Sequence, residues 1–135
     1  MINWTQKKLN NCLKHWQKVL GLENWRIKVQ FADPRDIEDF LGYKACACIS
    51  ISPTMENAVI KIGYQNFYDQ DDIDLYGTDD IEFSLIHELL HIYFQGLDLD
   101  KEEKTQLALE TIINRMCRAL LVSGRTEYET ESNSR

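Results

Sequence analysis

The sequence predicts an α+β fold: an N-terminal helix, a small, mainly antiparallel sheet, and two closing helices. Three observations predict it. Apolar residues recur at helical spacing over residues 4 to 20 and again over 79 to 122. Residues 25 to 31 alternate strictly between apolar and polar. Two further strand-like runs, 43 to 52 and 58 to 64, flank a segment rich in turn formers.

In the first helix Trp4, Leu9, Cys12, Leu13, Trp16 and Leu20 fall near one stripe, with Lys7, Lys8, Lys14 and Lys18 largely elsewhere. The tryptophans are assigned to the core and the lysines to a solvated face. Gly21 is the expected stop. In the first strand Trp25, Ile27, Val29 and Phe31 point one way, and Arg26, Lys28 and Gln30 the other. Asp33-Pro34 breaks it, and a short helical turn over 35 to 41 is ended by Gly42. The runs 43 to 52 and 58 to 64 read as an antiparallel hairpin around Pro53-Thr54-Met55-Glu56-Asn57.

Residues 65 to 80 read as a solvated acidic loop with Asp69, Asp71, Asp72, Asp74, Asp79 and Asp80. It is not an EF-hand, because counting from Asp69 puts Ile73 where the fifth position needs an oxygen ligand. A long helix follows, capped by Asp79 with Glu82 as the reciprocal member of a capping box. Ile81, Leu85, Ile86, Leu89, Leu90, Ile92 and Phe94 make it apolar over much of its circumference, so it belongs in the centre of the fold. Gly96 ends it, and Leu97-Asp98-Leu99-Asp100 forms a short connector. A last helix runs from about 101 to 122, with Asp100 and Glu103 as a second capping box and Gly124 as its end. Residues 1–124 are read as a single domain and 125–135 as a mobile acidic tail.

The composition is that of an ordinary globular protein. The chain has 135 residues, 44% hydrophobic and 27% charged, with a net charge of −7. That charge argues against a protein built to bind nucleic acid or an anionic membrane. No apolar run is long enough to span a bilayer, and the N-terminus has no signal-peptide pattern, so a cytoplasmic protein is expected. The four cysteines, Cys12, Cys46, Cys48 and Cys117, have no C-x-x-C spacing and read as small apolar residues in a reducing compartment.

There are only three histidines, and two stand four residues apart in His87-Glu88-Leu89-Leu90-His91. Four residues advance a helix by about 400°, so both imidazoles project from the same side. That spacing suits one tetrahedral Zn²⁺ with bonds of about 2.0–2.1 Å. Glu88 lies about 100° further round, off the ligand line and within reach of a metal-activated water. This is the H-E-x-x-H pattern of zinc hydrolases, and composition alone gives about 0.005 expected matches in a chain like this. Two imidazoles and a carboxylate on an apolar, buried helix are costly without partners, and a metal supplies one.

A catalytic zinc takes a third protein ligand and leaves the fourth position to water. A metzincin extension fails, since Phe94 and Leu97 stand where it needs Gly and His. His15 lies far off in the first helix. A carboxylate on the last helix is the better candidate, because a short connector makes the last two helices antiparallel neighbours. Glu102, Glu103, Asp98 and Asp100 are too near the connector, and the first two are better used as charges at a helix start. Glu110 lies roughly 15 Å along its helix, about level with His87. Asn114, one turn beyond Glu110, shares its face and is a candidate to hold a histidine's free ring nitrogen.

His87-Glu88-Leu89-Leu90-His91, eighteen residues, then Glu110-Thr111-Ile112-Ile113-Asn114 resembles the gluzincin arrangement of zinc peptidases. The size is similar to minimal gluzincins and to ImmA/IrrE-type and phage-encoded metallopeptidase domains. The resemblance is specific over residues 79 to 122 and only architectural over 4 to 64. It implies a zincin-like fold, zinc held by His87, His91 and Glu110, and Glu88 as catalytic base. It also implies a peptide or protein substrate lying extended along an edge strand, here expected at 58 to 64. No second histidine stands where larger gluzincins keep an electrophilic one, so Tyr43, Tyr64, Tyr93 and Tyr128 are the candidates for stabilising an oxyanion. Three other readings stay open. They are a regulator that cleaves one protein, a zinc-site binding module without turnover, and a hydrolase of non-peptide amides. An eleven-residue tail could also reach about 35 Å and lie across its own cleft.

Overall fold

A computed structural model describes residues 4–37, 46–64, 80–97 and 102–125. The element order is α1 (Gln6–Val19), β1 (Arg26–Ala32), β2 (Ala47–Ser52), β3 (Asn57–Gly63), α2 (Ile81–Phe94) and α3 (Glu103–Gly124). Single 3-10 turns at Pro34–Asp36 and Pro53–Met55 follow β1 and β2. The expectations placed on 38–45, 65–79, 98–101 and 126–135 lie outside the described residues. They are the helical turn up to Gly42, the acidic loop, the caps Asp79 and Asp100, and the tail.

Helix α1 starts where the Thr5 side chain accepts the Lys8 amide, a hydroxyl cap. It ends at Gly21, where φ is +71°. There the amide of Leu22 donates to Gln17 O at 2.7 Å and that of Gly21 to Lys18 O at 3.3 Å, a Schellman closure. Its apolar stripe buries Leu9, Cys12, Leu13 and Trp16, as the spacing predicts, while Lys7, Lys14 and Lys18 stay exposed.

The strand order is β1-β3-β2. β2 and β3 form the expected antiparallel hairpin, with Ile49 opposite Ile60. β1 joins the other side of β3 in parallel, with Val29 opposite Ile60. The small sheet is therefore mixed, and residues 58 to 64 form its central strand, not an edge. The alternation of each strand sorts the two faces. Ile27, Ala58 and Ile51 form one row on the inner face, and Val29, Ile60 and Ile49 form the next. The residues between them, Arg26, Lys28, Ser50 and Val59, are exposed on the outer face.

The inner face packs against α1 and α2 in a single core. Leu85, Ile86, Leu89 and Leu90 of α2 are fully buried or nearly so, each worth about 1.5–3 kcal/mol of burial. Asp80, not Asp79, caps this helix by accepting the Phe83 amide at 3.0 Å. Glu82 also has a partner distant in sequence. It is fully buried and accepts the Trp16 indole N–H at 2.6 Å. Arg125, just beyond α3, pairs with Asp80 at 2.8 Å and lies 3.9 Å from Glu82, so the polar cluster ties α1, the start of α2 and the end of α3 together. His15 belongs to the same end of the fold, its Nε2 lying 3.1 Å from Gly124 O and its ring edge-on to Trp16. Helix α3 starts after Glu102, whose side chain makes no capping hydrogen bond. No disulfide joins the four cysteines, and Cys12 and Cys117 lie in the core. No helix among the described residues is long and apolar enough to cross a membrane.

Candidate metal centre

Helix α2 is buried nearly all round, yet His87 and His91 keep part of their surface where it faces α3. Their shared side follows from the four-residue spacing. The two Nε2 atoms lie 3.3 Å apart. From α3, Glu110 inserts its carboxylate between them, with Oε2 2.6 Å from His87 Nε2 and Oε1 3.0 Å from His91 Nε2. Residues 87, 91 and 110 are thus brought together from two antiparallel helices, at the level that the rise per residue predicts.

Asn114 stands one turn beyond Glu110 and meets His87 from the other side, its Oδ1 2.8 Å from Nδ1. An amide oxygen only accepts, so Nδ1 of His87 carries the proton and Nε2 presents a lone pair. That lone pair points into the gap shared with His91 and Glu110. The His91 Nε2 and the Glu110 carboxylate face the same gap, where either a shared proton or a cation can sit.

A tetrahedral ion with bonds of about 2.0–2.1 Å sets its ligand atoms about 3.3 Å apart. The spacing of the two imidazole nitrogens matches that edge, while the two carboxylate oxygens lie closer, at hydrogen-bond distance from the imidazoles. His87, His91 and Glu110 therefore form a group that could hold a metal ion. Two imidazoles and one carboxylate suit a borderline divalent cation.

Without metal the group becomes an imidazolium–carboxylate cluster. Burial alone would lower the pKa of His87. Hydrogen bonds with Cys117 and Glu110 as acceptors and the charges of Glu88 and Glu110 outweigh it, pushing the imidazole up to about 10. Burial would raise Glu110, but its hydrogen bonds and charge contacts with His87 and His91 hold it down at about 2. The cluster thus keeps a proton in the place a cation would fill.

Glu88 follows His87 on the helix and is only 7% exposed. Burial pushes its carboxyl upward, and the charges of His87 and His91 oppose that. It sits beside the metal group without belonging to it.

The tyrosine candidates divide. Tyr93 gives its hydroxyl to the carbonyl of Leu20 at the end of α1, on the far side of α2 from His91, so it is not aimed at the centre. Tyr64 stacks on Phe31 with ring centroids 5.6 Å apart. Tyr43 and Tyr128 lie outside the described residues. Cys117 is a neighbour of His87 that spacing reasoning passed over. The signal was present, since residues 110, 114 and 117 share one face of α3.

Comparison with protein-family models, with curated proteins and with solved structures finds no match to this chain.

Proposed function

We propose that this protein is a zinc-dependent peptidase of gluzincin-like design. One observation carries the reading: two imidazole nitrogens and a carboxylate from facing helices converge close enough to share an ion, with a buried glutamate next to the first ligand. His87, His91 and Glu110 would hold the ion, and Asn114 would keep His87 in the tautomer that binds it. Zinc, when bound, supplies a Lewis acid that activates water and polarises a carbonyl.

Glu88 supplies the proton transfer. Its raised affinity for a proton suits a base that takes one from the attacking water and returns it to the leaving amine. A structural zinc has no use for such a group, which favours turnover over a binding module. β3 is paired on both sides, and among the described residues β2 is an outer strand of the sheet. An extended peptide would add along Ala47–Ser52, where main-chain groups give affinity independent of side-chain identity.

Metal analysis of the purified chain beside Glu110→Ala tests the site. About one zinc per chain, lost on substitution, supports it; unchanged zinc content in the variant overturns it. Digestion of a peptide library by wild type and Glu88→Gln then tests the reaction. Cleavage by the wild type and none by a zinc-loaded Glu88→Gln is expected. Equal cleavage by both would remove Glu88 from its role.

A further inference from the structure

The outward side of α3 has no use in the metal centre. Its inward side carries Glu110, Asn114 and the buried Ile113, Cys117 and Leu121. The opposite side is apolar. Val122 is 90% exposed, Ile112 51% and Met116 38%, and the small residues Ala108 and Ala119 lie among them. At about 100° per residue, Ala108, Ile112, Ala119 and Val122 fall within one stripe about 80° wide. The alanines leave room for a second helix to lie close, and the larger residues stand beside them.

The charges on this side have one sign. Lys104, Arg115 and Arg118 are exposed, and no ion pair to any of them is found among the described residues. Beyond the first turn of α3 the one carboxylate is Glu110, which is turned inward to the histidines. In a chain of net charge −7, this is a local reversal. Arg115 lies in the middle of the stripe, between Ala108 and Val122 in angle, not at its margin.

We infer that this face of α3 docks an acidic amphipathic helix of a partner protein, one with a carboxylate set within its apolar seam to meet Arg115. Charge complementarity selects that occupant. A helix that lies on a bilayer keeps its cations on the polar side, whereas Arg115 interrupts the apolar stripe itself. Two copies of this chain paired antiparallel about Arg115 would set arginine against arginine. A guanidinium at that point asks for a carboxylate, which it binds through two parallel hydrogen bonds. The metal centre faces the other way, so docking is independent of metal loading.

The test is fluorescence anisotropy of the full chain with a labelled acidic helical peptide, leucines along one face and one glutamate among them. Saturable binding is expected, weakened about tenfold or more by Arg115→Glu and by Val122→Asp. Replacing the seam glutamate by lysine should restore binding to Arg115→Glu and weaken it to wild type. Val122 is so exposed that its replacement leaves folding intact, which circular dichroism checks. Four results overturn the inference: no saturable binding, equal binding by wild type and Arg115→Glu, binding of phosphatidylserine vesicles instead of the peptide, or sedimentation as a dimer that Val122→Asp dissociates. Truncation after Arg125 provides a fifth: a tenfold gain in peptide affinity would show that the face belongs to the chain's own acidic C-terminus.

Discussion

Helix α2 buries two glutamates six residues apart, and they do opposite things. Glu82 is fully enclosed, with the Trp16 indole N–H 2.6 Å away and the Arg125 guanidinium at 3.9 Å. Glu88 is almost as buried but lies beside two imidazoles that a metal would occupy, and burial pushes its carboxyl upward. The first is a carboxylate with a fixed donor, holding three helices at one end of the fold. The second adjoins the two histidines of the candidate metal group. Burial alone does not mark a functional carboxylate; what distinguishes the two is what surrounds them, an indole donor for Glu82 and the candidate metal group for Glu88.

The largest effect should separate them outright. Glu88→Gln should lower hydrolysis by about 10²–10⁴-fold while zinc stays bound. Glu82→Gln should leave the rate per folded, zinc-loaded molecule near wild type. Initial rates on a peptide substrate, normalised to bound zinc, decide this, and a reversed ranking breaks the comparison. The next effect sharpens the metal side. Asn114→Ala frees Nδ1 of His87 and should weaken zinc binding about 10–100-fold, read by competition with a chromophoric chelator. A smaller effect belongs to the other glutamate. Glu82→Ala leaves the Trp16 donor buried without its acceptor and should cost about 1–3 kcal/mol in urea unfolding. The same substitution should not change zinc stoichiometry.

The smallest effect is a pH dependence of the metal-free chain. Glu110 is held at about 2, below its ordinary 4.5, so its contribution is present above 4.5 and lost as pH falls toward 2. His87 is raised from 6.5 to about 10, so its contribution is full below 6.5 and lost as pH rises through 10. The metal-free chain should therefore be most stable between about 4.5 and 6.5, a window that Glu110→Gln flattens. Urea midpoints across the pH range check it.

Much of this is legible in the sequence, and the parts that are not share a cause. Helical period placed His87 and His91 on one side, and rise per residue put Glu110 level with them, because both quantities are local to one helix or to two joined by a short connector. Asn114 followed from the same arithmetic. The parallel pairing of β1 with β3 was not legible, since partner choice between strands depends on contacts distant in sequence. The expected edge position of residues 58 to 64 failed for that reason, since β3 lies between β1 and β2. A capping pattern is local, so it gives no hint that Glu82 also accepts from Trp16, which stands 66 residues away. Tyr93 was open as an oxyanion donor until the fold brought its hydroxyl to Leu20.

All three prospective ligands lie on a single helical hairpin, with nothing contributed by α1 or the sheet. An ion held there acts as a removable staple across the hairpin. Each tenfold rise in free zinc above its dissociation constant should then add about 1.4 kcal/mol to the folded state. The melting temperature of this chain would be a gauge of zinc supply, climbing with the logarithm of the free ion and falling back when a chelator withdraws it.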